Sequence, residues 1–315
     1  MDKPTAIIDK SLFQRICDPQ EKTELFMGLL RERYCLAVPF VMHGEVFTNL
    51  VKPPKDRPPL VFPEMVKWCK ELHPFWMSDV LDIAYRELIL GDDLAFVPWL
   101  DGEVRRAIFN FTPDSTAAVN FFAEYRLERE QQIERRRQWQ NERIPPGKFF
   151  LGRDEKTFVQ QLTDYFLKQL AQSASRSDIL DTIFGDVFIQ RHPEQTADIK
   201  ATLSKISDST INKYPFSRNC LIASFVYMIG PITKVLVKPG GRQQPVKVLD
   251  RQNQRNNLED QEYVASAFLC ERLLTGDQEM AKVMGMFEAR GLWHGKTIWI
   301  DRQKDLASQI PALLI

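Results

Sequence analysis

Three apolar runs in this chain stop on, or shortly before, an acid. Ile7-Ile8 leads straight into Asp9, YCLAVPFVM at 34–42 is followed by Glu45, and Leu273-Leu274 is followed after Thr275-Gly276 by Asp277. Short runs without polar alternation fit strands buried on both faces, as in a parallel sheet. GKTIWID at 295–301 reads as a further strand, ending on Asp301. The C-terminal edge of such a sheet is where open α/β folds place their ligands. An acid after a strand also serves as a helix cap or a turn residue, and at this point both readings stand.

Helical patterns fill the intervals. Asp18-Pro19 opens a predicted helix over 19–32, with Leu25, Phe26, Leu29 and Leu30 on one face. VKPPKDRPPLVFP at 51–63 holds five prolines and reads as a boundary. From there to about residue 215 the spacing is mainly helical, as in 156–170, 177–189 and 196–206. Residues 124–143 mix Arg and Glu in near balance, which predicts a solvated helix. CLIASFVYMIGPI at 220–232 is too short to span a bilayer and reads as a buried helix or strand. Two short strands around Gly240-Gly241 are expected next, then a helix over 259–272 with Asp260 at its start. The expected fold class is therefore α/β. A parallel sheet flanked by helices is built from 1–51 and 231–315, and a large, mainly helical insertion at 52–230 adds no strand to it.

Composition narrows the partners. Formal net charge is zero, so no global field draws the chain to nucleic acid or membrane. Five cysteines are scattered, with no CxxC pair, which argues for a reducing compartment and against a structural zinc site. The N-terminal residues lack an apolar signal core, so a cytoplasmic location is expected.

Asp9, Glu45, Asp260 and Asp277 can converge on one sheet edge. Four carboxylates close together repel one another, and a divalent cation relieves that conflict. Oxygen ligands without a His or Cys set favour Mg²⁺ or Mn²⁺ over zinc. Such a site suits phosphodiester hydrolysis.

The motifs resemble those of the PIN-domain (PIN-like) nucleases. Asp9-Lys10-Ser11 resembles the first-strand Asp with its nearby Ser or Thr, and Val38-Pro39 before Glu45 is similar to the second motif. Asp260-Gln261-Glu262-Tyr263-Val264-Ala265-Ser266-Ala267 resembles the third, and Leu273-Leu274-Thr275-Gly276-Asp277 the fourth. The resemblance covers about 5–50 and 235–301. It implies a metal-dependent endoribonuclease, with Asp9, Glu45, Asp260 and Asp277 as catalytic metal ligands. It also implies a product with a 5′-phosphate and a 3′-hydroxyl. The interval from Glu45 to Asp260 is far longer than the family usually has, and the resemblance says nothing about it.

Beside these acids, Ser11 and Thr275 are candidates to hydrogen-bond the ligands, and Glu259 could assist Asp260 or replace it. Lys234, Lys238, Arg242, Lys247, Arg251 and Arg255 form a basic stretch ahead of Asp260 that could hold a phosphate backbone, or simply be a solvated hairpin. His43 and Asp301 read as structural residues, and Trp68, Phe75, Trp76 and Trp99 as the core of the insertion. RNA stands ahead of DNA as the expected partner, with a regulatory protein or a second copy as further partners and no membrane. Two alternatives stay open: a catalytically inactive PIN-like scaffold or interaction module, and a DNA-directed nuclease.

Overall fold

The computed structural model describes residues 3–18, 24–42, 44–45, 64, 67, 75–94, 116–143, 168, 179–234 and 251–314. The proline-rich 51–63, His43, Trp68, Trp99, the Gly-Gly turn and all of 156–170 but Lys168 lie outside them. The chain divides into two compact units. The first comprises Met1–Val80, Pro98–Arg126 and Glu262–Ile315, and the second Leu81–Val97 and Leu127–Gln261.

The first unit is built on a five-stranded parallel sheet. Its strands are β1 (Thr5–Ile8), β2 (Cys35–Val38), β3 (Phe75–Trp76), β4 (Arg272–Thr275) and β5 (Lys296–Trp299), in the order β3-β2-β1-β4-β5. Ile7 lies opposite Ala37 on one side and Leu273 on the other, and Thr275 lies opposite Trp299. The three inner strands are buried almost end to end, which is why their sequences are continuous apolar runs. Helices Glu24–Arg33 and Gln278–Ala289 make the β1–β2 and β4–β5 crossovers. Ile7, Leu12, Ile16, Phe26, Met27, Leu30 and Phe287 are fully buried. Each such side chain contributes about 1.5–3 kcal/mol of transfer free energy.

Several expectations need correction here. Residues 52–230 do add a strand, because Phe75-Trp76 pairs with Ala37-Val38 as an edge of the sheet. Phe75 is 47% exposed there, while Trp76 is buried. The second strand stops at Val38, since Pro39 cannot continue the ladder, and Phe40–Met42 are already helical. Leu25 is 62% exposed, and Met27 takes its place on the buried face of the helix.

The second unit is helical in its described residues. Pro215–Lys234 is a helix, with Cys220, Leu221, Ile222, Ala223, Phe225, Val226, Tyr227 and Met228 all buried. It continues through Ile232–Lys234, where a strand was expected. Its first turn is capped by the buried Glu87, which accepts hydrogen bonds from the Phe216 and Ser217 amides at 3.2 and 2.7 Å. Asp181–Gly185 forms a π-helical turn that runs into Asp186–Arg191, and Ile183, Phe184, Val187 and Phe188 are buried along it. Thr196–Lys205 is a helix as its spacing predicts, with Ile199 and Leu203 inward.

The helix Thr116–Arg143 departs from its expected solvated character. Arg129, Gln132, Ile133, Arg136 and Gln140 form a buried stripe at helical spacing. The polar members find partners: Arg136 donates to Gln261, Gln261 donates to Ser224 Oγ at 2.6 Å, and Gln140 donates to the Met228 carbonyl at 2.6 Å. No helix among the described residues is long and apolar enough to cross a membrane.

Candidate functional site

The strand order reverses between β1 and β4, and this is the position where open α/β sheets bind ligands. Asp9 directly follows β1 there, and its backbone amide donates to the Leu274 carbonyl of β4 at 3.0 Å. Its side chain is the N-cap of the helix Lys10–Ile16. Oδ1 accepts from the Leu12 amide at 2.6 Å and from Ser11 Oγ at 2.9 Å. Oδ2 accepts from Thr275 Oγ1 and from the Gly276 amide, the latter at 3.2 Å. Asp9 is only 2% exposed. Burial pushes its carboxyl above the ordinary carboxylate range, opposed by the Thr275, Leu12 and Ser11 hydrogen bonds and by the positive charge of Arg302.

Thr275 connects two of the acids. Its hydroxyl donates to Asp9 and accepts from the Asp277 amide at 2.9 Å. Asp277 in turn caps the helix Gln278–Ala289, with Oδ1 accepting from the Glu279 and Met280 amides at 2.8 and 3.0 Å. Its Oδ2 lies 3.7 Å from Arg302 Nη2. Gly276, between Thr275 and Asp277, leaves no room to spare: a Cβ there would meet Arg302 Nε at 3.2 Å and Ser11 Oγ at 3.3 Å.

Glu45 is helical together with Gly44 among the described residues. Its carboxylate is held from both sides. Lys10 Nζ lies 2.5 Å from Oε1, and the Tyr263 hydroxyl donates to Oε2 at 2.7 Å. Asp260 does not open a helix. It lies well inside the helix Arg251–Ala267, because the polar residues before it extend the helix backwards. Asp260 and Glu259 belong to the second unit and both have interaction partners. In the basic stretch, Lys234 ends one helix and Arg251 begins another, Arg255 pairs with Glu130, and Lys238, Arg242 and Lys247 lie outside the described residues. Asp301 is a turn residue that accepts from the Gln303 amide at 3.0 Å, and this bond holds its carboxyl below the ordinary range.

Sequence reasoning gave Lys10, Tyr263, Arg302 and Gly276 no role. Lys10 was legible only as the neighbour of Asp9. Tyr263 and Arg302 carried no signal, because their reach depends on how the helix and the turn after β5 are set.

Among the described residues, the donor chemistry at this edge is carboxylate oxygen without sulfur or imidazole, the type that suits a hard divalent cation. Among the described residues, however, no group of three or more His, Cys, Asp or Glu side chains is placed to hold a metal ion. An ionised carboxylate offers about four lone-pair sites, and Asp9 has protein donors on both oxygens, two to each. To take a metal, Asp9 would release one donor, the rotatable Ser11 hydroxyl being the least costly, and Glu45 would exchange Lys10. No family model matches the sequence, and comparison with curated proteins and with solved structures returns no match.

Proposed function

We propose that the chain is a PIN-like, metal-dependent endoribonuclease that hydrolyses phosphodiester bonds at the C-terminal edge of its sheet. The observation that carries this reading is the juncture of Asp9 and Asp277. They follow neighbouring strands where the strand order reverses, and both hydrogen-bond to Thr275. Asp9, Glu45 and Asp277, all in the first unit, would hold Mg²⁺ or Mn²⁺; the resemblance implies Asp260 as a fourth acid, and that residue belongs to the second unit. The bound metal would supply a water of lowered pKa and a counter-charge for the phosphate.

The residues of the chain do the positioning. Four donors fix the rotamer of Asp9 before any ligand arrives, which limits the entropy lost on binding. Arg302, half exposed beside Asp277, presents a guanidinium to a phosphate that the acids alone would repel.

The test is cleavage of single-stranded RNA and DNA of mixed sequence by the full chain, with Mn²⁺ or with chelator. Metal-dependent cleavage that Asp9→Asn and Asp277→Asn each reduce by about 10²-fold or more supports the reading. Cleavage that survives both substitutions sinks it. Preference for RNA over DNA decides between the two nuclease forms.

One set of contacts favours a second reading, a PIN-like scaffold without catalysis: the saturated Asp9 and the paired Glu45. Absence of cleavage on every substrate, with the fold intact in Mn²⁺, selects it.

A further inference from the structure

Lys10 is next in sequence to one acid that the resemblance assigns to a metal, and it pairs with another. It follows Asp9 in the chain, and its ammonium reaches 2.5 Å to Glu45 Oε1. The side chain of Glu45 is 8% exposed, so its negative charge is largely removed from water. A carboxylate so buried requires a counter-charge or a set of donors. Lys10 supplies the charge, and the Tyr263 hydroxyl supplies the remaining hydrogen bond at 2.7 Å. Lys10 itself keeps a route to solvent, with 23% of its side chain exposed and a long flexible stem.

We infer that Lys10 is a built-in cation that occupies the position of a divalent ion at Glu45, so that metal binding and the Lys10–Glu45 pair exclude one another. This rests on the metal reading proposed above. The physical basis is competition for one carboxylate. An ammonium a few ångströms from the metal position repels a dication, and the ion pair must be broken before Glu45 can coordinate. Without metal, the Glu45 carboxylate is then neutralised by the chain's own lysine. Divalent ions act on that carboxylate only above a threshold concentration. Tyr263 keeps Glu45 in place during the exchange.

The test measures binding directly. Metal-stripped full-length protein is titrated with Mn²⁺, free ion being followed by electron paramagnetic resonance, for wild type, Lys10→Met and Lys10→Gln. Lys10→Gln keeps a donor for Glu45 and guards against a variant that fails to fold. Both variants should bind Mn²⁺ about tenfold or more tightly than wild type. In chelator Lys10→Met should melt below wild type, and Mn²⁺ should raise its Tm by more than it raises that of wild type. Equal Mn²⁺ affinity in all three proteins overturns the competition and leaves the metal reading standing. No Mn²⁺ binding by any of them at millimolar concentration overturns both.

Discussion

The hydroxyl of Thr275 donates to Asp9 and accepts from the Asp277 amide, so one side chain ties the ends of two strands together. Thr275→Val keeps the shape and removes both bonds, leaving a buried carboxylate oxygen and a backbone amide short of a partner. The expected cost is about 1–3 kcal/mol of unfolding free energy by denaturant titration, with Thr275→Ser much milder. Asp9 gives a pH signature. Because its folded carboxyl sits above the ordinary range, the folded protein keeps that proton to higher pH than the unfolded chain does. Its contribution to stability is therefore fully present in acid, below the ordinary carboxylate range. It declines as pH rises through the folded value, and is constant above that. The stability difference between wild type and Asp9→Ala should shrink across that window, and a difference that grows with pH would contradict the shift. Burial pushes the Cys270 thiol up to about 12. Mass spectrometry after brief iodoacetamide treatment of native protein at pH 8 should find Cys270 unmodified, and unfolding in denaturant should expose it.

At the scale of elements, the strands were legible because burial on both faces writes itself as an uninterrupted apolar run. Ile7-Ile8, Leu36–Val38 and Leu273-Leu274 were identified this way. Phe75-Trp76 was not, since two residues at an edge carry no period and only one of them is buried. The helix Thr116–Arg143 misled for a different reason. Arg129, Gln132, Arg136 and Gln140 look solvated in sequence, yet this face is buried, and Arg136 and Gln140 on it find hydrogen-bond partners that composition does not encode. The same logic makes Gln261 costly to lose. It accepts from Arg136 and donates to Ser224. Gln261→Leu should lower unfolding free energy by about 1–3 kcal/mol, and a neutral result would show that Arg136 is well served by its other surroundings.

At the scale of the molecule, the candidate site was only partly legible. Asp9 and Asp277 come together because β1 and β4 are neighbours in the sheet, an order that strand patterns do not fix; the sequence showed only that acids after parallel strands can converge on one edge. Asp260 was assigned to a helix start that the chain does not have there, since helix boundaries are the weakest signal in sequence. The first unit is assembled from separate stretches of chain, and β4 and β5 both come from the last of them. Deleting 262–314 would leave β1 without its β4 partner and bare a hydrophobic inner strand. Such a truncation should lose cooperative melting and aggregate, as light scattering during a thermal scan would report.

The bond between Thr275 and Asp9 spans 266 residues of chain. A ribosome adding 5–20 residues per second needs roughly 13–50 s to make that interval. During synthesis β1 can therefore pair with β2 early, while its other edge waits for β4 until nearly the whole polypeptide has emerged. The nascent chain carries an open apolar strand for most of its time on the ribosome, an interval in which pairing with another chain's edge is the hazard.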